Sequence, residues 1–107
     1  MIICIPVEGG EGLQSVVAGS FGTAPRFLLY DLGAGTIEYL DNTSRDHPRG
    51  MCQPLRDVLD HAGDAVVCRG MSLHGIQMLE SHGIKVCRTD AETAAEAIEA
   101  FKRGLVD

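Results

Sequence analysis

The chain has 107 residues, of which 45% are hydrophobic and 22% are charged. This is enough to build the core of one domain, so we expect a single domain over residues 1–107. The formal net charge is −6, with 15 acidic and nine basic residues. Because contacts to nucleic-acid phosphates need lysine or arginine, this balance argues against nucleic acid as a partner.

The amino terminus argues against export and against a membrane span. Its apolar run ends at Val7, lacks a basic flank and is followed directly by Glu8. The cysteines are widely separated and form no paired motif, as expected for free thiols in a reducing compartment. They are Cys4, Cys52, Cys68 and Cys87. We therefore expect a cytoplasmic protein without a disulfide framework.

The first half of the chain predicts three strands. Residues 2–7 form an apolar run without alternation, typical of a central strand buried on both faces. Residues 8–25 are glycine-rich and predict a long loop with one turn of helix near residues 14–18. Residues 26–32 and 36–40 flank the turn Gly33-Ala34-Gly35 and predict a β-hairpin.

The second half predicts alternating helices and strands. Apolar spacing favours a helix over residues 51–62, a strand at residues 65–68, a helix from Ser72 to about Gly83, and a strand at residues 84–87. A capping box of Thr89 and Glu92 predicts the start of a last helix that runs to Gly104 and beyond. The order is that of an α/β fold with right-handed parallel crossovers.

Several motifs in this order resemble the dinitrogenase iron-molybdenum cofactor biosynthesis family, which includes NifX-like proteins and the C-terminal part of NifB. The motifs run nearly end to end: Ile3-Cys4-Ile5-Pro6-Val7, Phe21-Gly22-Thr23-Ala24-Pro25-Arg26-Phe27, Gly50-Met51-Cys52, Arg69-Gly70-Met71 and Gly83-Ile84-Lys85-Val86.

The resemblance implies a ribonuclease H-like three-layer fold, in which a β-hairpin and a βαβα unit form a mixed five-stranded sheet covered by helices. It also implies that the protein is a carrier of an iron-sulfur or molybdenum-sulfur cluster or cofactor precursor. A cluster that contains both molybdenum and copper is a further candidate for what it carries. Such a carrier is not an enzyme, and its partners are the cluster and a protein that donates or accepts it.

The carboxyl ends of the parallel strands are the expected site, because ligands of open α/β sheets collect there. Cys52 is the first candidate metal ligand, since a thiol at a helix N-terminus favours the thiolate that soft metals bind. His47, in the polar loop just before it, is the second. The structural alternatives are a half-buried cysteine and a solvated loop histidine.

Other residues at this edge are candidate cluster contacts. Met51 and Met71 offer thioethers, although methionine more often fills a core. Arg69 could pair with negative charge or form only a surface ion pair, and Gly70 and His74 adjoin it.

Ser20 is assigned to the site by the resemblance, because the family often has histidine at this position before Phe-Gly. A second family histidine, two residues after the position of His47, is replaced by Arg49. Both replacements remove possible ligands. They leave open an alternative function, a metal-free interaction or regulatory module on the same fold.

Other chemistries lack their motifs. A two-metal nuclease needs clustered carboxylates including one on the first strand, which has none. Paired Cys or His for zinc and a nucleophile elbow are also missing from the sequence. We expect Cys4 and Cys87 to be buried structural residues, and Cys68 is open to either interpretation.

Overall fold

A single mixed sheet of five strands organises the chain in the computed structural model, which describes residues 2–21, 24–41, 64–70 and 73–104, without the side chains of Asp41 and His74. The strands are β1 (Ile2–Val7), β2 (Arg26–Asp31), β3 (Ile37–Asp41), β4 (Ala65–Cys68) and β5 (Lys85–Arg88). They lie in the order β3-β2-β1-β4-β5, with β1 at the centre.

The register makes β2 the only strand that opposes the other four. It pairs antiparallel with β1 and with β3, whereas β1–β4 and β4–β5 are parallel. Pro6 lies in β1 beyond the two residues that pair with β4, so its missing N–H removes no bond from that side. The mixed five-stranded sheet predicted from the sequence is therefore confirmed.

The turn between β2 and β3 is closed by a side chain. Asp31 accepts hydrogen bonds from the backbone N–H groups of Gly33, at 2.9 Å, and Ala34, at 3.2 Å. Hydrogen bonds from Ala34 and then Gly33 to the ionised carboxylate lower the pKa of Asp31. The predicted hairpin is confirmed, and an aspartate rather than the glycines alone fixes its turn.

Each face of the sheet carries its own buried cluster, which gives three layers. On one face α1 (Leu73–Ser81) contributes Leu79 to a cluster with Phe27 and Val66. On the other face α2 (Ala94–Lys102) contributes Ala97 and Ile98. Strand β1 supplies residues to both clusters and is buried from Ile3 to Val7, which explains its unbroken apolar sequence.

Helix α2 begins four residues later than the predicted capping box. Thr93, not Thr89, is the N-cap, and its hydroxyl accepts from the N–H of Glu96 at 3.3 Å. The sequence contains two consecutive Thr-x-x-Glu motifs, residues 89–92 and 93–96, and the carbonyl of Glu92 accepts a hydrogen bond from the N–H of Val17 at 2.8 Å. Because this bond joins the end of the first motif to the loop after β1, the helix starts at the second motif.

The long loop after β1 also differs from its prediction. Its short helical turn is a 3-10 turn at Gly12–Gln14, while residues 16 and 17 are extended and form isolated bridges with Thr93 and Val7. We call residues 15–21 the strap. The predicted helix over residues 51–62 lies outside the described residues, and no helix in the described ranges is long and apolar enough to cross a membrane.

Candidate functional site

The carboxyl ends of β1, β4 and β5 meet at one edge of the sheet, which we call the carboxyl edge. The residues that leave the strands there are Glu8, Arg69 and Thr89. Because β2 runs the opposite way, its first residue, Arg26, lies at the same edge and pairs with Val7. The predicted location of the site therefore exists as a continuous edge formed by four neighbouring strands.

The strap crosses this edge and is bound to it by backbone hydrogen bonds. The N–H of Ala18 donates to the carbonyl of Pro6 at 2.9 Å, and the N–H of Phe21 donates to the carbonyl of Gly70 at 2.9 Å. The ring of Phe21 is buried against Phe27, with centroids 4.8 Å apart. The second half of the predicted glycine-rich loop is therefore anchored to the sheet edge by backbone bonds.

Gly70 is required by the approach of two backbones. A Cβ atom at this position would lie 2.9 Å from the carbonyl oxygen of Gly19, which is closer than side-chain carbons come to backbone oxygen. Because glycine has no Cβ atom, the strap can lie directly on the turn after β4. The structure gives Gly70, predicted as a cluster contact, a definite role in shaping the edge.

The structure brings together three of the predicted site residues. Ser20 lies in the strap between Gly19 and Phe21, the two residues that contact Gly70. Arg69 precedes Gly70 and is exposed to solvent. The backbone thus brings Ser20, Arg69 and Gly70 close together at the end of β4.

The remaining predicted residues cannot be placed relative to this group. His47, Met51, Cys52 and Met71 lie outside the described residues, and His74 is in the first turn of α1 with its side chain undescribed. Among the described residues, no group of three or more His, Cys, Asp or Glu side chains is arranged to hold a metal ion. The roles of Cys52 and His47 as ligands stay predictions.

Three arginines lie at the carboxyl edge of a chain whose net charge is −6. Arg69 follows β4, Arg88 ends the neighbouring strand β5, and Arg26 begins β2. Between described residues an ion pair is seen for Arg103, but none is seen for these three. Arg69 is a predicted site residue, whereas Arg26 was not singled out from the sequence.

The buried cysteines are poor metal ligands as they stand. Cys4, Cys68 and Cys87 are all fully buried and free. Burial raises the pKa of the Cys68 thiol to about 11, and burial together with the neighbouring Cys68 raises the pKa of Cys4 still further. Both thiols stay protonated at neutral pH, which supports the structural interpretation of Cys4 and extends it to Cys68.

A depression in the surface lies far from this edge. It has a volume of about 110 Å³ and is lined by Ile2, Leu29, Asp31, Thr36 and Glu38. These residues surround the amino end of β1, beside the hairpin turn. Because the depression lies at the opposite edge of the sheet, it serves as a reference site for ligand binding at the carboxyl edge.

A model of the family described as dinitrogenase iron-molybdenum cofactor matches residues 1–104. The chain belongs to this family. The resemblance inferred from the sequence motifs is thereby confirmed, over nearly the whole chain. The family takes its name from the iron-molybdenum cofactor of dinitrogenase.

Two solved structures of high similarity support this membership. The apo form of the orange protein from Desulfovibrio gigas has a TM-score of 0.92 at 25% identity, over 99% of this chain and 90% of that chain. A protein from Thermotoga, described as a candidate NifB protein and solved by NMR, has a TM-score of 0.85 at 28% identity over the same shares. No curated protein sequence matches the chain.

Proposed function

We propose that this member of the dinitrogenase iron-molybdenum cofactor family binds and carries an iron-sulfur or molybdenum-sulfur cluster, or a precursor of one, as cargo, without catalysing a reaction. The observation that carries the proposal is the group of three arginines at the carboxyl edge, for which no ion pair is seen among the described side chains. Such a group in an acidic protein favours an anionic ligand, and clusters with sulfide and thiolate ligands are commonly anionic.

The proposed contacts combine soft ligands with the described edge. Cys52 supplies a thiolate and His47 an imidazole, the ligand types that iron, copper and molybdenum-sulfide centres accept. Met51, Met71 and His74, at or near the predicted helix starts, are proposed as further contacts. Ser20, Arg69 and Gly70 are proposed to form the other side of the site.

The wider assignments follow from the same proposal. The strand order and the single opposing strand support a ribonuclease H-like classification. A carrier needs a protein that donates or accepts the cluster. The three buried free thiols favour a reducing, cytoplasmic compartment.

Anaerobic reconstitution tests the proposal. The purified chain is incubated with sulfide and with iron, molybdate or copper, desalted, and examined by visible absorption and metal analysis. We expect a coloured protein with stoichiometric metal, and a colourless control when sulfide is omitted. A chain that remains colourless and metal-free in every mixture would contradict the carrier function and favour the metal-free interaction module.

A further inference from the structure

Arg26 lies at the carboxyl edge, and no partner for its charge is seen among the described side chains, which do not include that of Asp41 opposite it in β3. Its Nε atom is buried and has no hydrogen-bond acceptor among the described residues. The side chain as a whole is only partly buried, so the rest of the guanidinium remains within reach of a ligand. A desolvated donor without an acceptor costs free energy, and native proteins keep few of them.

The loop after β1 packs directly against this guanidinium. A Cβ atom on Gly10 would lie 2.6 Å from Nη1 of Arg26, so glycine allows the loop backbone to touch the side chain. The N–H of Gly12 donates to the hydroxyl oxygen of Tyr39 at 2.6 Å, which fixes the far end of the loop to β3. Arg26 is therefore enclosed between the loop and the hairpin.

Two backbone donors are free in the loop that packs against Arg26 through Gly10. The N–H of Glu8 donates to Val16, and the N–H of Glu11 donates to the hydroxyl of Ser15. Within the described part of the chain, the N–H groups of Gly9 and Gly10 between them make no such bond. Consecutive free N–H groups next to an arginine are the combination that proteins use to bind small anions.

We propose that Arg26 and the backbone N–H groups of Gly9 and Gly10 form an anion-binding element, which recognises a tetrahedral metal oxyanion or thioanion. The inference rests on the proposed function, because the anion is the cargo or its precursor. The exposed carboxylates of Glu8 and Glu11 flank the element and oppose an anion. Because these carboxylates repel anions, we expect only ligands that contact the guanidinium directly to bind.

Tetrathiomolybdate alone is the probe, with affinity measured by calorimetry and absorption. Arg26→Met should weaken binding about ten-fold or more, as expected for the loss of charge-assisted hydrogen bonds, and Arg26→Lys should lie between it and the wild type. Arg103→Met, which removes an exposed arginine paired with Glu99, is the control and should bind normally.

A second pair of variants tests the loop. Gly10→Ala should displace the guanidinium and weaken binding, whereas Gly9→Ala should not, because its Cβ would meet only Glu11 Oε1 at 4.0 Å. The melting temperature of the apo protein separates recognition from structure. Arg26→Met should preserve or raise it, since the variant removes a buried N–H without an acceptor.

Four results would overturn the inference. The first is equal affinity of the wild type and Arg26→Met for tetrathiomolybdate. The second is a clearly lower melting temperature of Arg26→Met, with unchanged affinity per folded molecule. A wild type that takes up a cluster but does not bind tetrathiomolybdate refutes this element and leaves the carrier function standing. A wild type that binds neither refutes both.

Discussion

Alanine at position 70 should destabilise the protein by about 1 to 3 kcal/mol and markedly reduce cluster loading. The added Cβ would meet the carbonyl oxygen of Gly19 at 2.9 Å, and backbone on both sides leaves no side chain that can move away. The strap must then separate from the turn after β4, which breaks the 2.9 Å bond from Phe21 to Gly70. Denaturant unfolding and metal content after reconstitution measure the two effects.

Gly19→Ala is the matched control for this prediction. The two glycines face each other, but a Cβ on Gly19 has no atom within 4 Å. This variant should therefore keep wild-type stability and loading. If Gly70→Ala and Gly19→Ala behaved alike, the close approach of the strap would not matter for the site.

Cys52→Ser should lower cluster loading about ten-fold or more while preserving the fold. Cys52 lies outside the described residues, and the expectation rests on its predicted place at a helix start, where a thiolate is favoured. Serine has nearly the same shape but is a much weaker ligand for soft metals. The quantity to compare is the amount of metal and sulfide bound per folded molecule after anaerobic reconstitution.

Cys4→Ser is the control, because the side chain of Cys4 is fully buried in β1. A hydroxyl at this position should cost about 1 to 3 kcal/mol of stability and leave loading per folded molecule unchanged. Loading that fell in Cys4→Ser but not in Cys52→Ser would contradict the assignment of Cys52 as the ligand and place the site within the sheet instead.

Local sequence patterns predicted most of the fold. The unbroken apolar run of β1, the hairpin around Gly33, and the glycine after α1 correspond to observed elements, whereas α2 ends at Lys102 and not beyond Gly104 as predicted. Gly83 and Gly104 have positive φ angles of 81° and 72°, the conformation that ends a helix. These features depend on neighbouring residues, which is why periodicity and turn chemistry reveal them.

Features that depend on distant contacts were not predictable in the same way. The choice of Thr93 over Thr89 as N-cap depends on a bond between Val17 and Glu92, far apart in the chain. The anchoring of the strap depends on the carbonyls of Pro6 and Gly70. Local patterns contain no information about these partners.

The candidate site shows the same division. Motif order and topology predicted that Ser20, Arg69 and Gly70 lie at one edge, and the structure places them there. The role of Gly70 in backbone contact was hidden because it involves no side chain. Arg26 was missed although one signal was available, a charged residue that opens an otherwise apolar strand.

The location of the cargo is tested most directly by NMR. Amide spectra of the apo chain and of the chain loaded with tetrathiomolybdate, which is diamagnetic, would be compared residue by residue. We predict the largest shifts along the carboxyl edge, at Gly10, Phe21, Arg69 and Gly70, with little change at Gly33 and Ala34 in the hairpin turn. Shifts concentrated at the hairpin turn and the depression beside it, with an unperturbed carboxyl edge, would contradict the account.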